Sequence, residues 1–175
     1  MKTLILALAA GVIVTLPLKA QEATKFEVGT HLGASILIPE GGSTAVVVGI
    51  PGAGTAAGLF PPIYLTFYAH NLMIEPQLAF VYESSGGNGL IDAALQVGYL
   101  IQPTSAGSPY FAFHGLTVNA FGDGSSTEWA AGASLGYRQV VKNALGLRLE
   151  ARYRRFFESH LNDIGIVFGV GAAIH

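Results

Sequence analysis

Residues 145–157 read LGLRLEARYRRFF, and their order decides what kind of surface this chain builds. Leu145, Leu147, Leu149, Ala151 and Tyr153 alternate with Gly146, Arg148, Glu150, Arg152 and Arg154. Successive side chains of a β-strand point to opposite faces, so this segment has one apolar face and one ionic face. A helix would scatter both sets around its circumference.

The same period of two runs outward in both directions. In KFEVGTHLGASILI, residues 25–38, Phe26, Val28, Leu32, Ile36 and Ile38 oppose Glu27, Gly29, His31, Gly33 and Ser35. In residues 163–175, Ile164, Ile166, Phe168, Val170, Ala172 and Ile174 oppose Gly165, Gly169, Gly171 and Ala173. Ile63, Leu65 and Phe67 oppose Tyr64, Thr66 and Tyr68, and Ile74, Leu78 and Phe80 oppose Glu75, Gln77 and Ala79. Ile91, Leu95 and Val97 oppose Asp92 and Gln96, and Ala131, Ala133, Leu135 and Tyr137 oppose Gly132, Ser134, Gly136 and Arg138. Residues 109–120 are less regular, because no single phase separates His114 from the apolar residues. A bulge near Gly115 is expected there. The pattern gives eight strands. Residues 45–50, inside the long loop 39–58, either pair with the first strand or form a ninth.

Which face points inward decides the class. Sorted by phase, the polar face carries Glu27, Glu75, Glu83, Asp92 and Glu150 against Arg138, Arg148, Arg152 and Arg154. That near balance suits a closed, narrow interior, where an unpaired charge costs several kcal/mol. Glycines of the same phase make room for Arg and Tyr side chains. The opposite face is almost free of charge and is read as facing lipid. In hydrocarbon only helices and closed barrels satisfy every backbone amide, and a spanning strand takes ~9–11 residues. Aromatic residues sit near strand ends, as interface girdles require: Tyr99, Tyr110 and Tyr137 beside the short turns, Phe60, Tyr82, Trp129 and Tyr153 beside the longer loops. The expected fold is all-β: an eight-stranded antiparallel up-and-down transmembrane β-barrel over residues 21–175.

Composition agrees. The chain has 175 residues, enough for one domain, and only 11% of them are charged. A formal charge of −2 gives no electrostatic footprint for nucleic acid. The absence of cysteine excludes disulfides, thiolate metal sites and a cysteine nucleophile.

Residues 1–20, MKTLILALAAGVIVTLPLKA, read as a cleavable signal peptide: Lys2, an uncharged apolar run from Leu4 to Leu16, and the small residue Ala20 before the cut. The run is too short for a spanning helix. Removing these 20 of 175 residues leaves 155, with Lys plus Arg falling from 9 to 7 against 11 acids, a net charge of −4. A soluble secreted barrel carrying a ligand in an apolar interior is the third reading, and its outside would be rich in Lys and Glu.

MIEPQLAF at 73–80, ASLGYRQVV at 133–141 and LGLRLEARYRRFF at 145–157 give the chain its resemblance to the small outer-membrane β-barrel proteins of Gram-negative bacteria, the OmpA-barrel and OmpX-like group. The resemblance spans most of residues 21–175. It implies outer-membrane residence, insertion by the barrel-assembly machinery, eight strands, short periplasmic turns and longer outside loops. Such barrels usually end in an aromatic residue; this chain ends in Ile174 and His175.

An eight-stranded barrel is just wide enough for its own side chains, so no diffusion pore is expected. Glu27, Glu75, Asp92, Arg138, Arg148, Glu150, Arg152 and Arg154 are expected to form a structural charge network in the interior rather than a catalytic relay. The histidines show no metal spacing, and no cofactor or metal is expected. Some small outer-membrane barrels are lipid A-modifying enzymes, and FESHLND, residues 157–163, places Glu158, Ser159, His160 and Asp163 together. That enzyme is the second reading. The first is a monomer with a structural, adhesive or envelope-interaction role and no enzymatic activity. Its partners would be outer-membrane lipids and lipopolysaccharide, with residues 39–58 as a contact surface for an outside ligand. Deleting that loop is expected to leave insertion intact.

Overall fold

The computed structural model describes residues 26–49, 63–83, 88–104, 107–121, 125–142 and 144–174. The expected signal peptide, Phe60, His175 and the side chain of Glu83 lie outside the described residues. The strands are β1 (Phe26–Pro39), β2 (Ala45–Gly49), β3 (Ile63–Ala69), β4 (Leu72–Glu83), β5 (Asn88–Leu100), β6 (Gly107–Phe121), β7 (Ser126–Val141), β8 (Leu145–Phe156) and β9 (Leu161–Ile174).

Every pairing is antiparallel, and the order is β2-β1-β3-β4-β5-β6-β7-β8-β9. A β1–β9 ladder, running from Phe26↔Ile174 to Pro39↔Leu161, closes the sheet on itself. β2 and β3 lie along the same edge of β1. Ala45–Gly49 faces Leu37–Gly33, and Tyr64–Phe67 faces Gly29–Phe26. They are two pieces of one wall strand, so nine segments make an eight-strand barrel.

The apolar stretch in the first long loop pairs with the first strand, one of the two readings the sequence left open: Val46, Val47 and Val48 continue the alternation opposite β1. Two expectations are corrected. Removing that stretch would take away ladder partners of Gly33–Leu37, so the loop is not dispensable to the barrel's hydrogen bonding. The bulge near Gly115 is absent: β6 holds unbroken register with both neighbours, Leu95↔Gly115↔Ala131 on one row and Ala94↔Leu116↔Ala130 on the next. One phase serves throughout, because Leu116 points inward and packs with Ala130 and Phe156 in an apolar layer near the loop end. A second apolar layer, Met73, Leu100, Tyr110 and Ala112, lies toward the short turns.

The polar phase faces in and the apolar phase faces out. Arg148 and Glu150 are 2% and 4% exposed, while Leu95, Phe113, Leu135, Ile166 and Phe168 all lie open on the outer wall. An apolar-cored soluble barrel is the reverse of this arrangement. Among the described residues, Arg155 is the one charged side chain on the outward phase of a strand. The β3–β4 register skips from Tyr64↔Gln77 to Phe67↔Ile74, around Pro76, which has no amide hydrogen to give a neighbour.

Candidate functional site

Among the described residues most charged side chains converge in the interior, and strand phase puts them there. Glu27 of β1 is the first node. Tyr64 Oη donates to its Oε1 at 2.6 Å and Tyr68 Oη to its Oε2 at 3.3 Å. Arg138 Nε donates to Oε2 at 2.9 Å, and Arg148 Nη2 lies 3.6 Å from Oε1. Gly146 leaves the space that the Glu27 carboxylate fills.

Arg148 carries the network to its second node, Glu75, which its Nη1 contacts directly. Its Nη2 donates to Thr66 Oγ1 at 3.0 Å, and Thr66 in turn donates to Glu75. The guanidinium lies over the Tyr64 ring, 4.6 Å from its centroid, which adds a cation–π contact to a side chain already held by ionic bonds. Gln77 Nε2 donates to Glu75 Oε1 at 2.7 Å and to Gln96 Oε1 at 3.1 Å. Gln96 Nε2 then donates to Glu150 Oε2 at 2.8 Å, where Tyr110 Oη also donates at 2.7 Å. His114 Nε2 lies 3.7 Å from the other Glu150 oxygen.

A second cluster lies nearer the loops. Arg154 donates through Nε and Nη2 to Asp163 Oδ2 at 2.9 and 2.6 Å, and Arg152 Nη2 lies 3.6 Å from the same atom. Asp92 is fully buried, and neither of its carboxylate oxygens has a hydrogen-bond partner among the described residues.

All eight side chains named from the sequence therefore point into the barrel, and seven of them fall in two groups. Glu27, Glu75, Glu150, Arg138 and Arg148 share one continuous set of contacts; Arg152 and Arg154 share Asp163; Asp92 joins neither through a hydrogen bond. Asp163 was missed because FESHLND reads as loop, whereas β9 already begins at Leu161. Its odd phase, shared with Gly165 and Gly169, was the available signal. Thr66, Gln77, Gln96, Tyr64 and Tyr110 were legible by the same phase, but neutral groups drew no notice in a count of charges. With Arg148, Tyr64 and Tyr110 fully buried within it, the lumen is occupied by the chain's own side chains.

FESHLND is split between two environments. Asp163 is inside, while His160 sits on the exposed rim, where Arg155 Nη2 lies 3.3 Å from its Nδ1 and Glu40 Oε2 lies 3.5 Å away. Glu158 accepts from the Trp129 amide at 2.8 Å, and Glu128 accepts from the Ser159 amide at 2.9 Å. His70 and His160 hold positive φ angles of 54° and 52°, in the left-handed region where histidine is enriched at turns. His31 stacks on Tyr64 with centroids 4.4 Å apart. No group of three or more metal-ligating side chains forms among the described residues.

No protein-family model matches the chain, and no curated protein matches its sequence. Solved structures do match. Neisserial surface protein A (NspA) superposes with a TM-score of 0.61 at 16% identity, over 84% of this chain and 96% of that one. Ail, the attachment invasion locus protein of Yersinia pestis, gives 0.51 at 9% identity, over 87% of this chain and 100% of that one. The outer membrane protein OprG from Pseudomonas aeruginosa gives 0.50 at 11% identity, over 91% of this chain and 100% of that one. The shared feature is the fold: this chain has the closed eight-strand architecture of the small outer-membrane barrels.

Proposed function

We propose that this chain is an integral outer-membrane β-barrel with a structural, adhesive or envelope-interaction role, without a diffusion pore. The observation that carries this reading is the pairing of a charge-poor apolar outer wall with an ionic interior. An aqueous exterior would favour the opposite arrangement, and a bilayer leaves no other place for Arg148 and Glu150. The names of two structural neighbours, a surface protein and an attachment invasion locus protein, support a role at the cell surface.

In this reading residues 1–20 are removed on export, the barrel-assembly machinery inserts the remainder as a monomer, and the long-loop end faces outward amid lipopolysaccharide. Residues 39–58 are then the contact surface for an outside ligand, with Ala45–Gly49 fixed in the wall. The role is non-enzymatic. Against the lipid A-modifying alternative stands the dispersal of FESHLND, which leaves His160 beside a guanidinium that competes for the nitrogen a base would use.

The test is gel mobility of the membrane fraction with and without boiling, followed by N-terminal sequencing of the unboiled band. A heat-modifiable band starting at Gln21 is expected. Recovery wholly in the periplasmic wash would end the reading. Changed lipid A in cells carrying the wild type, restored by Ser159→Ala, would favour the enzyme instead.

A further inference from the structure

One buried charge stands outside the network. Among the described residues five carboxyls, Glu27, Glu75, Asp92, Glu150 and Asp163, share the interior with four guanidiniums, Arg138, Arg148, Arg152 and Arg154. Glu27, Glu75, Glu150 and Asp163 each accept a hydrogen bond from a side chain. Asp92 does not: it is 0% exposed, and neither of its oxygens has a partner. A buried carboxylate without a hydrogen bond is far costlier than the same carboxyl uncharged.

The register explains the isolation. Asp92 stands between Ala79 of β4 and Val118 of β6 on its own row. Leu90 and Ala94 flank it on the inward phase of β5. Ala94 and Val118 both pack against the apolar layer of Leu116, Ala130 and Phe156. Gln77, the inward residue before Ala79 on β4, gives its Nε2 to Glu75 and Gln96. The charge of Arg154 reaches Asp92, but Arg154 donates through Nε and Nη2 to Asp163, which Arg152 also approaches.

A metal cation or a water molecule here would need several polar partners of its own. The side chains of Ala79, Leu90, Ala94 and Val118 supply none. A proton needs only the carboxyl, and it brings the buried groups to four charges of each sign. His31 and His114 lie 3.8 and 3.7 Å from Glu75 and Glu150, which other donors already serve. A proton on either imidazole would leave Asp92 as unsupported as before.

We infer that Asp92 is a proton-binding site in the loop-side half of the lumen, occupied at neutral pH, whose emptying sets a bare anion against the apolar layer and loosens that end of the barrel. In the unfolded chain an aspartate ionises near pH ~3.9. The folded chain therefore binds one more proton than the unfolded chain above that pH, and this contribution to stability falls as pH rises.

The test is urea unfolding of the full mature chain in lipid vesicles over roughly pH 5–7, beside Asp92→Asn, which keeps the shape and has no proton to lose. The folding constant of wild type divided by that of Asp92→Asn is expected to fall about tenfold per pH unit. A flat ratio overturns the site. Infrared spectra of the wild type stand whether or not the variant folds. A carboxylic-acid carbonyl band is expected at neutral pH and is expected to fade in mild alkali. Its absence at neutral pH, or its persistence in folded Asp92→Asn, overturns the site. The compact unboiled band reports the barrel itself, so its absence from wild type defeats the outer-membrane reading and not the proton site alone.

Discussion

Arg138 Nε donates to Glu27 Oε2 at 2.9 Å, although the two residues are 111 positions apart and stand on strands that do not pair. The bond crosses the lumen near the short-turn end, where Glu27 also gathers two tyrosines and Arg148. Burial makes the pair consequential: neither charge can be left alone without paying desolvation that nothing returns.

Glu27→Gln and Arg138→Met should therefore each destabilise the barrel by about 3–5 kcal/mol, and the double variant should lose less than the sum. Urea unfolding in lipid vesicles, followed by tryptophan fluorescence and by the compact band on unboiled gels, measures all three. Additive losses would show that the two side chains do not act as a pair.

Packing inside the barrel depends on glycines that yield their space to long side chains. A Cβ on Gly136 would collide with the Tyr110 ring, whose hydroxyl donates to Glu150 at 2.7 Å. Gly136→Ala should cost ~1–3 kcal/mol by overpacking. Gly115→Ala, which meets nothing within 4 Å, should stay within about 0.5 kcal/mol of wild type. The same unfolding assay compares the two, and equal effects would remove the steric argument.

The outer wall gives an opposite sensitivity. Ile166 stands 57% exposed on β9 amid apolar neighbours. Ile166→Arg should cost ~2–4 kcal/mol in a bilayer, although an arginine is well tolerated one strand away on the inner phase, at Arg152. Folding yield into vesicles reads the difference. A neutral outcome would place this surface in water rather than hydrocarbon.

Deleting Ala45–Gly49 should shift the urea midpoint downward or abolish the compact band, because Gly33–Leu37 would lose a ladder in a setting without water to replace it. Retention of the wild-type midpoint would show that β2 contributes nothing to closure.

Orientation is open to direct labelling. With a membrane-impermeant maleimide on intact cells, Glu158→Cys, in a long-loop segment, should react and Lys142→Cys, in a short turn, should be protected until the cells are lysed. The reverse pattern would turn the barrel over in the membrane.

Much of this architecture was legible because a period of two leaves little freedom: once Arg148, Glu150, Arg152 and Arg154 share a phase, their apolar neighbours must share the other. The same rule gave the inward residues of β1, β3, β4, β5 and β7. It faltered at β6, where Leu116 and Val118 are apolar yet point inward, because the layer that caps the polar interior cannot be told by hydropathy from the layer that meets lipid. It also stopped short of contacts between strands. Phase places Glu27 and Arg138 inside, but their meeting depends on register and on the tilt of every strand between them. Asp163 went unread because a strand start looks like a loop until its partner, Leu37, is known.

The apolar layers at the two ends of the lumen have a consequence for ionic strength. Added salt screens charges that electrolyte can approach, with a Debye length near 3 Å at 1 M. The Arg155–Glu40 contact on the rim is open to that effect, whereas Glu27, Glu75, Arg148 and Glu150 lie between Met73 and Leu100 at one end and Leu116 and Phe156 at the other. A molecule so arranged keeps its framework in concentrated brine while its lip alone becomes electrostatically mute.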